Sequence, residues 1–200
     1  MTRVIEFYYD YSSPYSYLAD ARLPELVIRT GATIEYKPAI LGVLVVESKN
    51  TPPPTIPAKF SYYADDIRRW AEKYDIPYNN NPHFPLRSIT LMRAAMVAKQ
   101  GNDFAQFHRV MWKAMWEDGL NLADADVIRT VLNQAGLDGD GIVGAADAPE
   151  IKEALRVNCE EALGRGAFGL PTFFVGGEMF FGNDRLDFVE DAVMQGVEYA

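Results

Sequence analysis

The sequence predicts an α/β fold in which strands from both ends of the chain flank a block of helices. Residues 4–9 form an apolar run typical of a buried strand, and residues 171–181 read as a strand, a glycine turn and another strand. Between them, residues 67–132 repeat apolar side chains at helical spacing. With 200 residues, 48% of them hydrophobic, the chain is long enough to bury a core of its own.

The N-terminal part predicts a β-α-β unit. Residues 4–9 are read as a strand, residues 14–26 as a helix, and residues 33–37 as a second strand. Residues 38–58 predict a long loop without regular structure, because prolines lack the N–H that helices and sheets need. The prolines of this segment are Pro38, Pro52, Pro53, Pro54 and Pro57.

The middle of the chain predicts helices, each with one apolar face. We interpret these faces as core, including the methionines and tryptophans of residues 111–116, because such side chains are usually buried. The four faces are Ile67, Trp70 and Tyr74; Leu91, Ala94, Ala95 and Ala98; Phe104, Phe107, Met111 and Met115; and Val127, Ile128, Val131 and Leu132.

The C-terminal part returns to strands. Residues 171–175 and 178–181 flank Gly176 and Gly177 and predict a hairpin, and residues 182–184 supply cap residues for a last helix. Without the helical block, this is the element order of a thioredoxin fold. We therefore predict a thioredoxin-like domain formed by residues 1–40 and 166–200, with residues 41–165 as a loop and an inserted all-helical domain.

Charge and composition narrow the function. The formal charge of −9 and the pI near 4.7 argue against a nucleic-acid surface or an anionic membrane as partner, because both need clustered Lys and Arg. The N-terminus runs directly into a strand without a signal-like segment, and no run approaches the length of a membrane span. These features predict a soluble, cytoplasmic protein.

Cys159 is the single cysteine of the chain. An internal disulfide, a Cys-x-x-Cys redox pair and a cysteine-rich zinc site are therefore excluded. Ile151, Leu155 and Cys159 fall on one helical stripe, which favours a buried core thiol; a reactive thiol is the alternative.

Ser13 and Pro14 stand where the first strand gives way to a helix. Taken alone, a serine before a proline is a common helix N-cap. Thioredoxin-like proteins present their reactive group at this same place, and a serine there cannot form a disulfide. Any reactive sulfur would then come from another molecule.

Several separated motifs give the chain a family resemblance. They are residues 10–18, 37–42, 50–53, 57–59 with Tyr62 and Asp66, 166–173 and 181–186. With these segments the chain resembles the glutathione-dependent 2-hydroxychromene-2-carboxylate isomerases and the kappa-class glutathione transferases, which are thioredoxin folds with a helical insertion.

The resemblance implies a glutathione site with Ser13 at the thiol, where its hydroxyl would stabilise the thiolate. Leu170, before a cis Pro171, would pair with the cysteinyl backbone, and Asn183 with Asp184 would hold the γ-glutamyl end. Each has a plainer interpretation: Pro171 as the start of an edge strand, and Asn183 and Asp184 as helix caps. Asn50 and Lys59, otherwise surface residues, would hold the glycyl end.

An aromatic pocket for the organic substrate is the second expectation. Arg87 would face a substrate carboxylate, although a solvated arginine at a helix start is an equal alternative. His83 and His108 are read as loop or helix-face residues, and a Ser-His catalytic pair with Ser13 is the alternative that sequence spacing leaves open. The aromatic candidates are Tyr15, Tyr17, Tyr62, Tyr63, Phe84 and Phe168.

The predicted function is a glutathione-dependent isomerase in aromatic catabolism. It would interconvert 2-hydroxychromene-2-carboxylate and trans-o-hydroxybenzylidenepyruvate, with glutathione as cofactor and an anionic aromatic keto acid as substrate. One alternative is a kappa-like transferase or peroxidase. Another is a non-catalytic thioredoxin-fold binding or chaperone protein. The resemblance also implies a homodimer.

Overall fold

The computed structural model describes residues 3–52 and 55–196. Its sheet has four strands in the order β2-β1-β3-β4, with β1 parallel to β2 and antiparallel to β3, and β3 antiparallel to β4. The strands are β1 (Val4–Tyr9), β2 (Thr33–Pro38), β3 (Thr172–Val175) and β4 (Glu178–Phe181). Both ends of the chain thus contribute to one sheet, as predicted.

Helices form the rest of the described structure. In chain order they are α1 (Pro14–Asp20), α2 (Leu23–Thr30), α3 (Leu41–Glu47), α4 (Pro57–Tyr74), α5 (Ile89–Gln100), α6 (Phe104–Trp116), α7 (Ala125–Gln134), α8 (Gly139–Ala145), α9 (Pro149–Gly164), a short 3-10 helix (Asn183–Arg185) and α10 (Leu186–Gln195). Among the described residues, no helix has both the length and the apolar character needed to cross a membrane.

The single helix predicted over residues 14–26 is wrong, because the structure has two helices there. α1 ends at Asp20 and α2 begins at Leu23. Pro24 has no N–H to donate to a carbonyl one turn earlier, and it lies in the first turn of α2, where that donor is not needed.

The loop predicted over residues 38–58 is also wrong in part, because α3 lies within it. The stretch that forms α3 contains no proline, and its Leu44 and Val45 are buried. Leu44 packs in a cluster with Cys159 of α9, so tertiary packing stabilises a helix that local composition does not indicate. Pro53 and Pro54 lie outside the described residues.

The helical block contains α8, which the apolar pattern does not predict. Its sequence is rich in glycine, which disfavours helix. The Asp138 side chain accepts a hydrogen bond from the Gly141 amide and caps this helix. At Gly139, a Cβ would lie 2.5 Å from the carbonyl oxygen of Arg129 in α7, so only glycine allows the two helices to approach so closely.

One hydrophobic core joins the sheet to the helices. Phe7 of β1 stacks on Phe173 of β3 at 5.0 Å between ring centroids, and Leu91 and Met111 from the helical block belong to the same cluster. The predicted core role of the α6 methionines and tryptophans is confirmed, since all of them are buried. Because the two predicted parts of the chain share this core, their division into domains stays a prediction.

Cys159 is buried in α9, as predicted. Its sulfur accepts a hydrogen bond from the Ile40 amide at 3.3 Å. Burial raises the pKa of the thiol above its ordinary value of 9.0. A thiol that is both buried and protonated is a poor nucleophile, which favours the core interpretation over the reactive one.

Candidate active site

A cavity of about 880 Å³ opens beside the end of β1. Five parts of the chain surround it: the start of α1, helix α3, the middle of α4, the segment before α5, and the residues on either side of the β3–β4 hairpin. Nine of the ten predicted site residues line it: Ser13, Tyr15, Asn50, Phe84, Arg87, Leu170, Pro171, Asn183 and Asp184. Lys59 does not line it, and its side chain is exposed on α4.

Ser13 is buried at the N-cap of α1. Its hydroxyl oxygen accepts a hydrogen bond from the Ser16 amide at 3.1 Å, which confirms the helix-cap interpretation. The same hydroxyl donates to the carbonyl oxygen of Leu170 at 3.2 Å. The fold therefore places the predicted thiol-binding residue against the predicted peptide-binding residue.

The Leu170–Pro171 peptide bond is cis, as the resemblance implies, and Phe84–Pro85 is a second cis bond. In the part of the chain that the structure describes, the Leu170 N–H has no hydrogen-bond acceptor. The side-chain amide of Asn50 donates to the Phe168 carbonyl at 3.0 Å. This bond holds the loop after α3 against the segment that carries Leu170.

Asn183 and Asp184 begin the 3-10 helix after β4. Asn183 is buried, and its side-chain NH₂ has no hydrogen-bond partner among the described residues. Asp184 is exposed and forms an ion pair with Arg185. Gly182 has a φ of +105°, and a Cβ there would lie 2.6 Å from the Asp184 carboxylate, so glycine is required for this turn.

Aromatic side chains form one wall of the cavity. The Tyr15 hydroxyl donates to the Asp66 carboxylate at 2.8 Å, and its ring meets Tyr63 edge-on at 5.4 Å between centroids. Tyr63 in turn stacks on Phe84 at 6.2 Å. Burial raises the pKa of Tyr15 and of Tyr63, so both hydroxyls stay neutral.

The other aromatic candidates lie elsewhere. Tyr62 is exposed and donates to Asp66 at 3.1 Å from outside the lining, and Phe168 packs against Phe181 at 4.6 Å. Tyr17 lines a second, smaller cavity of about 390 Å³. The aromatic lining is therefore narrower than the sequence suggests.

Arg87 is exposed and lines the main cavity. Within residues 3–52 and 55–196, it makes no ion pair or hydrogen bond. Arg185 is the other arginine of the lining, and Asp184 neutralises it. Arg87 is thus the cavity's unpaired arginine in the described structure.

Asp10, which the sequence analysis does not single out as a site residue, lies fully buried at the end of β1. Its carboxylate accepts hydrogen bonds from Ser12, Leu41 and Ser88. Burial raises its pKa above the ordinary value of 3.8, and the hydrogen bonds from these partners offset part of that effect. An acidic residue that ends an apolar run is the sequence signal that could have revealed it.

The two histidines lie away from Ser13, as predicted. His108 is buried in α6, with Nδ1 2.6 Å from the Tyr11 hydroxyl and Nε2 2.9 Å from the Asp20 carboxylate. It lines the second cavity, and His83 is exposed in a turn. Neither histidine lines the main cavity, and in the described structure no group of His, Cys, Asp and Glu side chains could hold a metal ion.

Comparison with known proteins identifies the family of this chain. The family model described as DSBA-like thioredoxin domain matches residues 4–194. The chain belongs to the DSBA-like thioredoxin family. A solved structure of 2-hydroxychromene-2-carboxylate isomerase matches this family member with a TM-score of 0.85 and 28% identity, over 96% of this chain and 95% of that one.

Curated relatives within the DSBA-like family narrow the group further. A 2-hydroxychromene-2-carboxylate isomerase of Sphingobium xenophagum is 33% identical over 97% of this chain and 100% of its own length. A glutathione S-transferase kappa 1 of Caenorhabditis elegans is 29% identical over 96% of this chain and 91% of its own length. The predicted family is confirmed, and the chain is an enzyme of this isomerase and transferase group.

Proposed function

We propose that the protein is a glutathione-dependent isomerase that interconverts 2-hydroxychromene-2-carboxylate and trans-o-hydroxybenzylidenepyruvate. The observation that carries the proposal is the composition of one cavity: Ser13, Leu170 and Asn183 line it together with an aromatic wall and Arg87. The similarity to relatives that are named 2-hydroxychromene-2-carboxylate isomerase supports the same assignment.

The residues present fit glutathione, an extended tripeptide with a thiol, two carboxylates and an α-amine. The free Leu170 N–H and its carbonyl can pair with the cysteinyl backbone as an added strand does. The unpartnered NH₂ of Asn183 is a buried donor, which a γ-glutamyl carboxylate would satisfy. Asp184 is suited to the α-amine, in competition with Arg185.

The glycyl end of glutathione is the least complete part of this fit. Asn50 lines the cavity, but its amide already bonds to Phe168, and Lys59 does not line the cavity. Asn50 keeps one amide hydrogen for a carboxylate, since each NH₂ group carries two. Lys59 remains a proposed long-range cation for this end.

Ser13 acts on the thiol as a hydrogen-bond donor and not as a nucleophile. No histidine lines the cavity to take its proton, so a Ser-His mechanism has no base among the described lining residues. A hydroxyl that donates to sulfur favours the thiolate over the thiol. When bound, glutathione would supply the nucleophilic thiolate for a reversible addition to the conjugated double bond, and Ser13 would hold that thiolate.

The organic substrate would lie against the aromatic wall. Phe84 and Tyr63 supply apolar ring surface to the lining for an aryl ring, and Arg87 offers an unpaired cation to the carboxylate. Because the protein carries a formal charge of −9, local positive charge is needed to attract an anion. This wall distinguishes the proposed isomerase from a protein that binds glutathione alone.

A kappa-like transferase or peroxidase is the second candidate, since kappa-class transferases are also among the relatives. It would use the same glutathione residues on a different electrophile. The two candidates differ in stoichiometry, because an isomerase returns each glutathione and a transferase consumes one for each product.

The test has two arms. Glutathione at millimolar concentration should raise the melting temperature, because a ligand that binds only the native state stabilises it. Trace glutathione should then convert many equivalents of 2-hydroxychromene-2-carboxylate. Absence of a melting shift would reject the glutathione site, whereas a shift without isomerisation, but with conjugation of halogenated electrophiles or reduction of hydroperoxides, would favour the kappa-like function.

A homodimer, a role in aromatic catabolism and a cytoplasmic location complete the proposal. The family resemblance supports the homodimer and the role in aromatic catabolism, and the cytoplasmic location stays a prediction from the sequence. Light scattering after size-exclusion chromatography would measure the oligomeric state, and cell fractionation the location.

A further inference from the structure

The Asp10 carboxylate is hydrogen-bonded to three parts of the chain that surround the cavity. It lies at the end of β1, and its partners lie at the start of α1, the start of α3 and the residue before α5. We propose that Asp10 is a positioning residue of the glutathione site, which holds these three walls together and turns the Ser12 hydroxyl away from the thiol position. The inference rests on the proposed function.

The hydrogen bonds of Asp10 use both carboxylate oxygens fully. Oδ1 accepts from the Ser12 amide at 2.8 Å and from the Ser12 hydroxyl at 2.9 Å. Oδ2 accepts from the Leu41 amide at 2.9 Å and from the Ser88 hydroxyl at 2.8 Å. Among the described residues no Lys, Arg or His forms an ion pair with it, so neutral donors alone hold the group.

The first consequence concerns the serine pair. Ser12 and Ser13 both line the cavity, and both carry a hydroxyl that could donate to a thiol. The Ser12 hydroxyl donates to Asp10, whereas the Ser13 hydroxyl donates only to the Leu170 carbonyl. Asp10 therefore selects Ser13 as the hydroxyl that is free to turn to a bound thiol.

The second consequence concerns the walls formed by α3 and by the segment before α5. In neither α3 nor α5 does the N-cap side chain accept a hydrogen bond from an amide of the first helical turn. Asp10 supplies the missing acceptor for Leu41, the first residue of α3, and fixes Ser88 directly after Arg87. The distance between the thiol position and Arg87 therefore depends on one carboxylate.

Only a carboxylate can fill this role. Asparagine has one acceptor oxygen and one NH₂ group, so Asp10→Asn would set a donor against either the Leu41 or the Ser12 amide. A variant of unchanged size thus breaks half of the connections. Ser88→Ala and Ser12→Ala break one side-chain contact each and leave the carboxylate in place.

The first measurement does not depend on activity. Amide hydrogen exchange at Leu41 or at Ser12, whichever amide the introduced asparagine NH₂ group faces, should be at least tenfold faster in Asp10→Asn than in the wild type, and exchange at Leu41 should be unchanged in Ser12→Ala. Equal exchange of both amides in the wild type and in Asp10→Asn would overturn the proposed contacts. Because this experiment needs no glutathione, it stands even if the wild type fails to bind glutathione and the proposed function is wrong.

The second measurement separates positioning from folding, at a temperature where every variant is folded. Asp10→Asn should lower kcat/KM by about 10- to 100-fold, the range seen when an outer residue that orients a reactive one is lost. Ser88→Ala should raise KM for the carboxylate substrate several-fold at unchanged glutathione affinity, and Ser88→Thr, which keeps the hydroxyl, should restore it. Ser12→Ala should not change the pKa of the bound glutathione thiol, whereas Ser13→Ala should raise it.

Three outcomes would overturn the inference. One is Asp10→Asn with a lower melting temperature but wild-type kinetic constants, which would make Asp10 a structural residue only. Another is Ser12→Ala with a thiol titration shifted as far as that of Ser13→Ala. The third outcome is Ser88→Ala with an unchanged KM for the carboxylate substrate. This variant, compared with Ser88→Thr, tests the inference if Asp10→Asn does not fold.

Discussion

The hydroxyl of Ser13 makes two hydrogen bonds, one that belongs to the helix and one that belongs to the cavity. It accepts from the Ser16 amide, as a helix cap does, and donates to the Leu170 carbonyl. The local sequence predicts only the first. The second joins residues 157 positions apart, so it depends on how the two ends of the chain meet.

Ser13→Ala should therefore have two separable effects. Loss of the donor should raise the pKa of the bound glutathione thiol and lower kcat by about 10²-fold. Loss of the cap should lower the free energy of unfolding by about 1 kcal/mol. Thiolate absorbance against pH and urea unfolding measure the two effects.

Ser16→Ala is the matched control for that substitution. Ser16 is buried in the same helix, and its hydroxyl has no hydrogen-bond partner in the described structure. Its removal should change neither the thiol titration nor kcat. If Ser13→Ala loses stability and keeps full turnover, Ser13 is a helix cap and nothing more.

The raised pKa of Asp10 gives a pH prediction. Since burial makes the native carboxyl bind its proton more tightly than the unfolded one, its contribution favours the fold below the ordinary pKa of 3.8 and is lost as pH rises through the native value. The unfolding free energy of the wild type, minus that of Asp10→Asn, should fall as pH rises from 4 toward neutrality. Urea unfolding of both proteins measures it, and a constant difference would contradict the assignment.

At the scale of single residues, the position of a motif in the sequence predicted which residues lie at the cavity, but the sequence did not predict their hydrogen-bond partners. That Ser13, Leu170 and Asn183 lie around one cavity could be predicted, because they stand in segments that carry the family resemblance. The four bonds of Asp10 and the unpartnered amide of Asn183 could not, because they depend on residues distant in sequence.

At the scale of elements, the turn between β4 and α10 brings two polar side chains to the cavity. Gly182, with φ of +105°, lets the chain bend close to the Asp184 carboxylate. Asn183 then points inward while Asp184 stays exposed. The turn thus offers a buried amide donor beside an accessible carboxylate, which suits the amino-acid end of a peptide.

Asp184→Ala should weaken glutathione binding more than it slows the chemical step. The γ-glutamyl amine is remote from the sulfur, so its contact is nearly equal in the ground and transition states. Calorimetry should show a higher Kd with kcat at saturation nearly unchanged. Asp187→Ala removes a nearby exposed carboxylate that does not line the cavity and should leave the Kd as it is.

Truncated thiols sharpen the same prediction. A thiol without the γ-glutamyl group should not distinguish the wild type from Asp184→Ala, because the contact in question is absent from both complexes. Equal losses for glutathione and for the truncated thiol would contradict the assignment of Asp184 to the amine.

The predicted elements failed where local preference and tertiary packing disagree. Strand β1 has the predicted bounds, because its apolar run is unambiguous. Helix α3 was missed because prolines flank it, although Leu44 packs against α9. Helix α8 was missed because its sequence is rich in glycine, which disfavours helix. Gly139 is nevertheless needed there, because it allows the close approach to α7.

At the scale of the whole molecule, the order of elements could be predicted and their arrangement could not. Strands at both ends and helices between them indicate the thioredoxin-like fold. The sheet order β2-β1-β3-β4, and the single core that includes both Phe7 and Met111, follow from packing across the full length of the chain. That packing also brings Arg87 to the cavity that Ser13 lines.

Because the protein is strongly acidic, substitution of Arg87 tests whether the cavity binds an anionic substrate. A molecule of formal charge −9 repels an anionic substrate at long range, so the substrate needs a local cation to bind. Arg87→Ala should raise KM for 2-hydroxychromene-2-carboxylate several-fold and leave the glutathione Kd unchanged. Initial rates at saturating glutathione measure the first, and calorimetry the second.

Arg69→Ala controls for the charge of the whole molecule. Each substitution removes one positive charge and takes the formal charge from −9 to −10, but Arg69 is exposed on α4 and does not line the cavity. If repulsion by the whole protein governed substrate binding, both variants would raise KM equally. We expect only Arg87→Ala to do so, and a steeper salt dependence of KM in the wild type than in Arg87→Ala would show that a direct ionic contact is lost.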